Sequence, residues 1–73
     1  MLPVGVRRIE GSFERGDAVH VTGAGGLEIA RGLVNYAAAD LARILGRQSD
    51  EIERILGFNY GDEVIHRNNM VLL

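Results

Sequence analysis

The chain has 73 residues, which allows one small hydrophobic core and leaves no room for a two-domain enzyme. Hydrophobic residues make up 47% and charged residues 25%, the balance of a globular domain, and the net charge of −2 argues against a dedicated nucleic-acid binder, which is usually basic. There is no cysteine, so disulfides, thiolate zinc sites and cysteine nucleophiles are excluded.

Glycines divide the N-terminal half into short segments, which predicts β structure. Apolar residues alternate over residues 2–6, as in a strand at a sheet edge, where the missing N–H of Pro3 is tolerated. Residues 8–11 are a weaker candidate for an extra strand. Residues 18–22 predict a clearer strand, residues 23–26 a glycine-rich hairpin loop, and residues 27–33 the returning strand.

Gly32 interrupts this returning strand. Glycine weakens a strand interior unless the position has a reason to lack a side chain. We therefore expect a bulge, or a close approach by neighbouring backbone, at Gly32.

From Tyr36 the apolar spacing becomes helical, and Leu41 and Ile44 share one face of a predicted first helix. Gly46 follows as its C-terminal glycine. Asn35 or Asp40 is expected to cap or start the helix, because Ala37 and Ala38 have no side-chain oxygen to do so.

A second short helix is predicted before Gly57, with an apolar stripe that includes Ile52 and Leu56. Ser49 or Asp50 is its expected N-cap. After a turn at residues 59–62, we expect a strand from residue 64, a turn at residues 68–69 and a final strand over residues 70–73.

No catalytic motif stands out. The glycine cluster at residues 23–26 lacks the third glycine of a dinucleotide loop, since Glu28 stands there, and no Gly-Lys-Ser/Thr sequence is present. His20 and His66 are the only imidazoles, too few for a zinc site without carboxylates, and His66 is expected on the surface, opposite Ile65. The acids of residues 50–53 fit a helix N-terminus better than an acid/base pair.

The arginines are the remaining candidates. Several fall on strands or loops while the acids concentrate after residue 49, so one face is expected to be locally basic. The candidate surface for RNA or a protein partner consists of Arg7, Arg8, His66 and Arg67. The alternative is an unpatterned surface of solvated side chains with incidental ion pairs. The few aromatic residues adjoin turns, where packing is more usual than base stacking.

Five runs resemble, in order and spacing, the C-terminal PUA domain of bacterial glutamate 5-kinases: residues 2–6, 10–17, 28–36, 49–57 and 62–69. The resemblance covers nearly the whole chain. It implies a mainly β fold, a PUA-like pseudo-barrel with two short helices between strands, formed by residues 1–73 as a single domain and a fragment of a larger kinase. The catalytic amino-acid-kinase domain would lie outside these residues.

The resemblance also implies a parent enzyme that transfers the γ-phosphate of ATP to the side-chain carboxylate of L-glutamate, the first step of proline biosynthesis. ATP and magnesium would belong to the parent's catalytic domain, so no catalytic, cofactor or metal residue is expected in this chain. We expect a cytoplasmic, non-catalytic regulatory module that contacts the kinase catalytic domain of the same chain and other subunits of a homo-oligomer, with no membrane partner. The alternative is a weak RNA-binding module that uses the arginine-bearing face.

Overall fold

A computed structural model describes all 73 residues. The strands and helices are, in chain order, β1 (Ala18–Thr22), β2 (Glu28–Val34), α1 (Ala38–Ile44), α2 (Ile52–Leu56) and β3 (Ile65–Leu72). Short 3-10 turns lie at Pro3–Gly5, Ala24–Gly26 and Ser49–Glu51. The strands form one antiparallel sheet in the order β1-β2-β3, which confirms the predicted mainly β fold with two short helices.

The predicted first strand at residues 2–6 is wrong. Pro3–Gly5 forms a 3-10 turn, in which the Val6 N–H donates to the Pro3 carbonyl over 3.0 Å. Residues 8–11 form no strand either, and no residue from 7 to 12 makes a backbone–backbone hydrogen bond. Apolar alternation produces a strand only where a second backbone is available to pair with it, and none is present here.

The predicted hairpin between β1 and β2 is confirmed. Val19 lies opposite Gly32 and Val21 opposite Ala30. Gly25 and Gly26 of the loop have φ angles of 76° and 78°, a region that side-chain-bearing residues rarely adopt, which explains the glycines there.

The last strand departs from prediction. Instead of two strands joined by a turn at residues 68–69, β3 is one strand with a wide bulge. Ile65 pairs with Val34 and Met70 pairs with Gly32, so residues 66–69 stand opposite Leu33 alone. The bulge contains four polar residues, of which His66 is half-exposed and the three that follow it are exposed.

The close approach expected at Gly32 is confirmed. A Cβ built there would lie 2.7 Å from the carbonyl oxygen of Asn69 and 2.6 Å from Cγ2 of Ile65. The bulged backbone of β3 therefore rests directly on Gly32.

α1 begins without the expected cap. Its N-cap is Ala37, which has no side-chain hydrogen bond, while Asp40 lies in the first turn. Asn35 is not a cap, because its side-chain amide donates to the Glu63 carbonyl over 2.9 Å. Gly46 follows the helix with φ of 70°, as predicted.

α2 also begins differently from prediction, because neither Ser49 nor Asp50 is the cap. The preceding turn is capped by Gln48, whose backbone N–H donates to the Glu51 carboxylate over 3.1 Å. Gly57 ends the helix with φ of 84°, as expected.

The core lies between the helices and the sheet. Tyr36 is fully buried within it, and its hydroxyl donates to the Gly61 carbonyl and accepts from the Tyr60 N–H over 2.9 Å. Burial raises the pKa of Tyr36 above its ordinary value. The core cluster contains Val34, Tyr36, Leu41, Ile44, Ile52, Leu56, Val64 and Ile65. Neither helix of the fold has the length and apolar character needed to cross a membrane.

Candidate functional site

The main concave feature is a groove of about 990 Å³ beside β1. One wall is β1 with the start of its hairpin loop, and the other is the N-terminal segment from Gly5 to Phe13. Thirteen of the 21 lining residues are hydrophobic. Its floor is lined by four buried core residues: Val34, Leu41, Val64 and Ile65. The groove therefore opens directly onto the hydrophobic core, as ligand and protein-binding grooves commonly do.

Both walls carry backbone groups without protein partners. β1 is an edge strand, because β2 covers only one of its sides. Residues 7–12 on the opposite wall make no backbone–backbone hydrogen bonds. Unpaired strand edges are the usual template for binding an extended peptide.

The predicted arginine face is divided between two places. Arg7 and Arg8 line the groove, whereas His66 and Arg67 lie in the β3 bulge and do not line it. No hydrogen bond or ion pair joins the first pair to the second. Arg8 is engaged by Glu10, with 2.7 Å between Nη2 and Oε1.

Most of the other arginines are also engaged. Arg43 donates to the Ile55 carbonyl, which ties α1 to α2, and Arg54 pairs with Glu51 at 2.6 Å. The guanidinium of Arg15 stacks 3.8 Å from the centre of the Tyr60 ring. Arg7 and Arg67 form neither an ion pair nor a contact of this kind.

A charged cluster lies near the loop end of the hairpin, where Thr22 pairs with Glu28. Glu28 accepts from Nε of Arg31 over 2.6 Å and also contacts Nδ1 of His20, which lies opposite Arg31 in the strand register. The hydrogen bond from Arg31, followed by that from His20, lowers the pKa of Glu28 from 4.5 to about 2. The contact between His20 and Glu28 links β1 to β2 beside the groove.

This cluster predicts an acid-dependent contribution to stability. Because the pKa of Glu28 is lower in the folded chain than its ordinary value of 4.5, its contribution is complete above pH 4.5 and is lost as pH falls towards 2. Glu28→Gln is therefore expected to lower the denaturation midpoint at pH 7. The difference from the unmodified chain is expected to decrease as pH falls from 4.5 to 2. Glu53→Gln is the control, because Glu53 forms no ion pair. If the denaturation midpoints of both variants depended on pH in the same way, the stabilising role of the Glu28 contacts would be contradicted.

His66 is half-exposed while Ile65 is buried, which confirms the predicted orientation. Its Nδ1 accepts a hydrogen bond from the Asn68 N–H over 3.1 Å, inside the bulge. Its Nε2 lies 3.8 Å from Glu63. These contacts give His66 a local structural role in shaping the bulge. No group of three or more histidine and acidic side chains is arranged to hold a metal ion.

The aromatic residues pack against one another, as the sequence indicates. The Tyr60 ring lies 4.9 Å from Phe58 and 5.6 Å from Tyr36, centre to centre. Sequence reasoning missed the stacking of Arg15 on Tyr60, because the two residues are far apart in the chain and nothing local links them.

Comparison with protein-family models finds a match to the PUA domain over residues 1–56. The chain belongs to the PUA domain family. This agrees with the mainly β fold and with the resemblance seen in the sequence.

The chain is also similar over its full length to the C-terminal region of proteins named glutamate 5-kinase. The identity is 59% for the relative from Geobacter sulfurreducens, 58% for that from Stutzerimonas stutzeri and 56% for that from Methylobacillus flagellatus. Each alignment covers the whole chain and 20% of the relative. The chain thus spans about one fifth of the length of these relatives.

Proposed function

We propose that this PUA domain is the non-catalytic interaction module of a glutamate 5-kinase. The similarity to the C-terminal region of proteins with that name supports the parent enzyme. In this proposal the catalytic part outside these residues binds ATP and magnesium and phosphorylates the side-chain carboxylate of glutamate in the cytoplasm. The product would be the first intermediate of proline biosynthesis.

The observation that carries the interaction role is the groove beside β1. It joins an apolar floor, formed by core residues, to two walls with unpaired backbone groups. Apolar surface and free strand edges are features that another polypeptide can cover by burial and main-chain hydrogen bonding. Phosphate recognition would need clustered positive charge instead, and Arg7 is the one lining arginine without an ion pair.

Light scattering on the full-length parent and on a shortened parent that ends before Met1 tests this role. We expect truncation to change the mass of the assembled oligomer or the response of the enzyme to its end product, since a binding surface is removed. An unchanged mass together with an unchanged response would contradict the interaction role. Circular dichroism on the truncated parent provides the folding control.

RNA binding is the second candidate, and two observations favour it. Arg7 and Arg67 are exposed and form no ion pair, so each is free to contact a phosphate. The Asn-rich bulge that contains Arg67 also offers polar side chains for contacts to bases or sugars.

The structure predicts that any such binding is weak. Neutralising two phosphates gives a log-log salt slope of about −2 and micromolar affinity at best. We expect Arg7→Gln/Arg67→Gln to remove the binding of a structured RNA in a titration at two salt concentrations. Arg47→Gln/Arg54→Gln is the charge-matched control, at residues that pair with Glu51. Nanomolar binding that resists salt would favour the RNA role over the interaction module.

A further inference from the structure

We propose that the free edge of β3 is a self-association surface, at which β3 of a second copy of this chain pairs antiparallel across a two-fold axis at Val71. The pairing would join two three-stranded sheets into one sheet of six strands. This edge lies on the opposite side of the sheet from the groove, because the strand order is β1-β2-β3. Whatever occupies the groove therefore has no bearing on the β3 edge.

The backbone groups that face outward at this edge follow from the pairing of β3 with β2. The Leu73 N–H donates to the Ile29 carbonyl over 2.9 Å, so Leu73 bonds to β2. Alternate residues of an antiparallel strand bond to the same neighbour, so Val71 bonds to β2 as well. The N–H and C=O groups of Met70 and Leu72 therefore point away from β2, towards the free side.

Only the beginning of this edge is covered within the chain. The Val64 N–H donates to the Met1 carbonyl over 2.7 Å, and the amino group of Met1 donates to the Ile65 carbonyl over 3.1 Å. No backbone hydrogen bond from outside the sheet reaches Met70 or Leu72. The C-terminal half of β3 is therefore an open strand edge.

This open half lacks the features that usually protect a strand edge. Residues 69–73 contain no charged residue and no proline. Their apolar side chains are also exposed, with exposed fractions of 64% for Val71, 76% for Leu72 and 65% for Leu73. An apolar edge without protection is typical of a strand that pairs with another chain.

A second copy fits this edge because its sequence is self-complementary. With the axis at Val71, Met70 of each copy lies opposite Leu72 of the other, and their outward N–H and C=O groups form two hydrogen-bonded pairs. The two Val71 side chains meet on one face of the joined sheet. On the other face, each Leu72 lies beside the second copy's Met70, which packs against the core. The same four-residue apolar run thus supplies both halves of the contact.

Electrostatic repulsion opposes this pairing only weakly. Arg31 lies opposite Val71 on β2 and is already paired with Glu28, with 2.6 Å between Nε and Oε1. The two Arg31 residues of a dimer would be three strand spacings apart, or about 14 Å. That separation exceeds the Debye length of about 8 Å at physiological ionic strength.

The size of the contact predicts a reversible dimer. Strand pairing over residues 69–73 involves far fewer residues than the roughly 20–30 per partner of a standard stable interface. We therefore expect the dimer population to rise with the concentration of the chain. Because a two-fold contact uses the same surface on both copies, association should stop at the dimer.

Sedimentation equilibrium over a range of concentrations tests the proposal. We expect association of the chain up to twice its own mass. Val71→Lys and Val71→Glu are each expected to raise the dissociation constant about tenfold or more, because like charges would face each other across the axis. An equimolar mixture of the two variants is expected to restore the dimer. Val4→Lys is the control, at a valine that is 47% exposed and lies outside β3.

Oxidative cross-linking gives a second readout. The chain has no cysteine, so Val71→Cys introduces the only thiol. Directly opposed residues of an antiparallel pair have Cβ atoms about 4.5–5.5 Å apart, which a small shift brings within disulfide reach. We expect Val71→Cys to form a disulfide-linked dimer about tenfold or more faster than Val4→Cys, because random collisions cross-link both equally.

Four results would overturn the proposal. A chain that stays monomeric at every concentration would show that the edge does not self-associate. Growth beyond the dimer would show a contact that is not two-fold. A mixture of the Val71→Lys and Val71→Glu variants that associates no better than either alone would show that the two positions do not meet. Equal rates of cross-linking for Val71→Cys and Val4→Cys would show the same.

Discussion

Replacing Gly32 with alanine is expected to lower the free energy of unfolding by about 2–3 kcal/mol. The added Cβ would lie 2.7 Å from the Asn69 carbonyl oxygen. This steric clash involves a backbone atom, so it is relieved only if the backbone of β3 moves. The β3 bulge would then have to lift from β2, which breaks the pairing of Gly32 with Met70. Valine at this position adds two further carbon atoms and is expected to destabilise the fold more.

Gly5→Ala is the matched control for this prediction. No heavy atom lies within 4 Å of a Cβ built at Gly5, so the same chemical change meets open space there. Urea denaturation of both variants gives the comparison. Equal midpoints for Gly32→Ala and the unmodified chain would show that the close approach of β3 does not limit this position.

Ile44→Ala is expected to cost about 2–5 kcal/mol, because truncating a buried side chain loses transfer free energy and leaves a cavity. Ile44 is fully buried at the end of α1, within the core cluster. In a domain of this size such a loss approaches the whole stability of the fold. We therefore expect either a much lower urea midpoint or no cooperative transition at all.

Ile55→Ala is the control, since Ile55 is only partly buried against the same core. The same number of carbon atoms is removed, but less of the side chain is withdrawn from water in the native fold. A loss at Ile55 equal to or greater than that at Ile44 would contradict the packing described for α1.

The features that could be predicted from sequence depend on local backbone chemistry. The hairpin loop needs residues with positive φ, and Gly25 and Gly26 provide them. The helices end at Gly46 and Gly57 for the same reason. Gly32 marks a close contact because a glycine inside a strand costs stability unless a neighbouring atom occupies the space that a side chain would need.

The predictions that were wrong concern features that depend on partners elsewhere in the chain. Residues 2–6 alternate like a strand but have no second strand to pair with, so Pro3–Gly5 turns instead. Asn35 has the side chain of a helix cap, but it bonds to Glu63, which is distant in sequence. The β3 bulge follows from its register against β2, which the sequence of β3 alone does not specify.

The candidate site likewise has one part that could be predicted from sequence and one part that could not. The four residues Arg7, Arg8, His66 and Arg67 could be named from residue type, yet the groove could not, because its walls come from segments separated by the turn before β1. The nearest sequence signal was the strand-like pattern of residues 8–11, which has no partner in the fold.

An assay of glutamyl phosphate formation shows directly whether this domain is non-catalytic. The assay compares this chain alone, the full-length parent and the shortened parent that ends before Met1, each with glutamate, ATP and magnesium. We predict turnover by the full-length and shortened enzymes and none by the 73-residue chain above a heat-treated control. Turnover by the chain alone, or the loss of turnover in a folded shortened parent, would contradict the account.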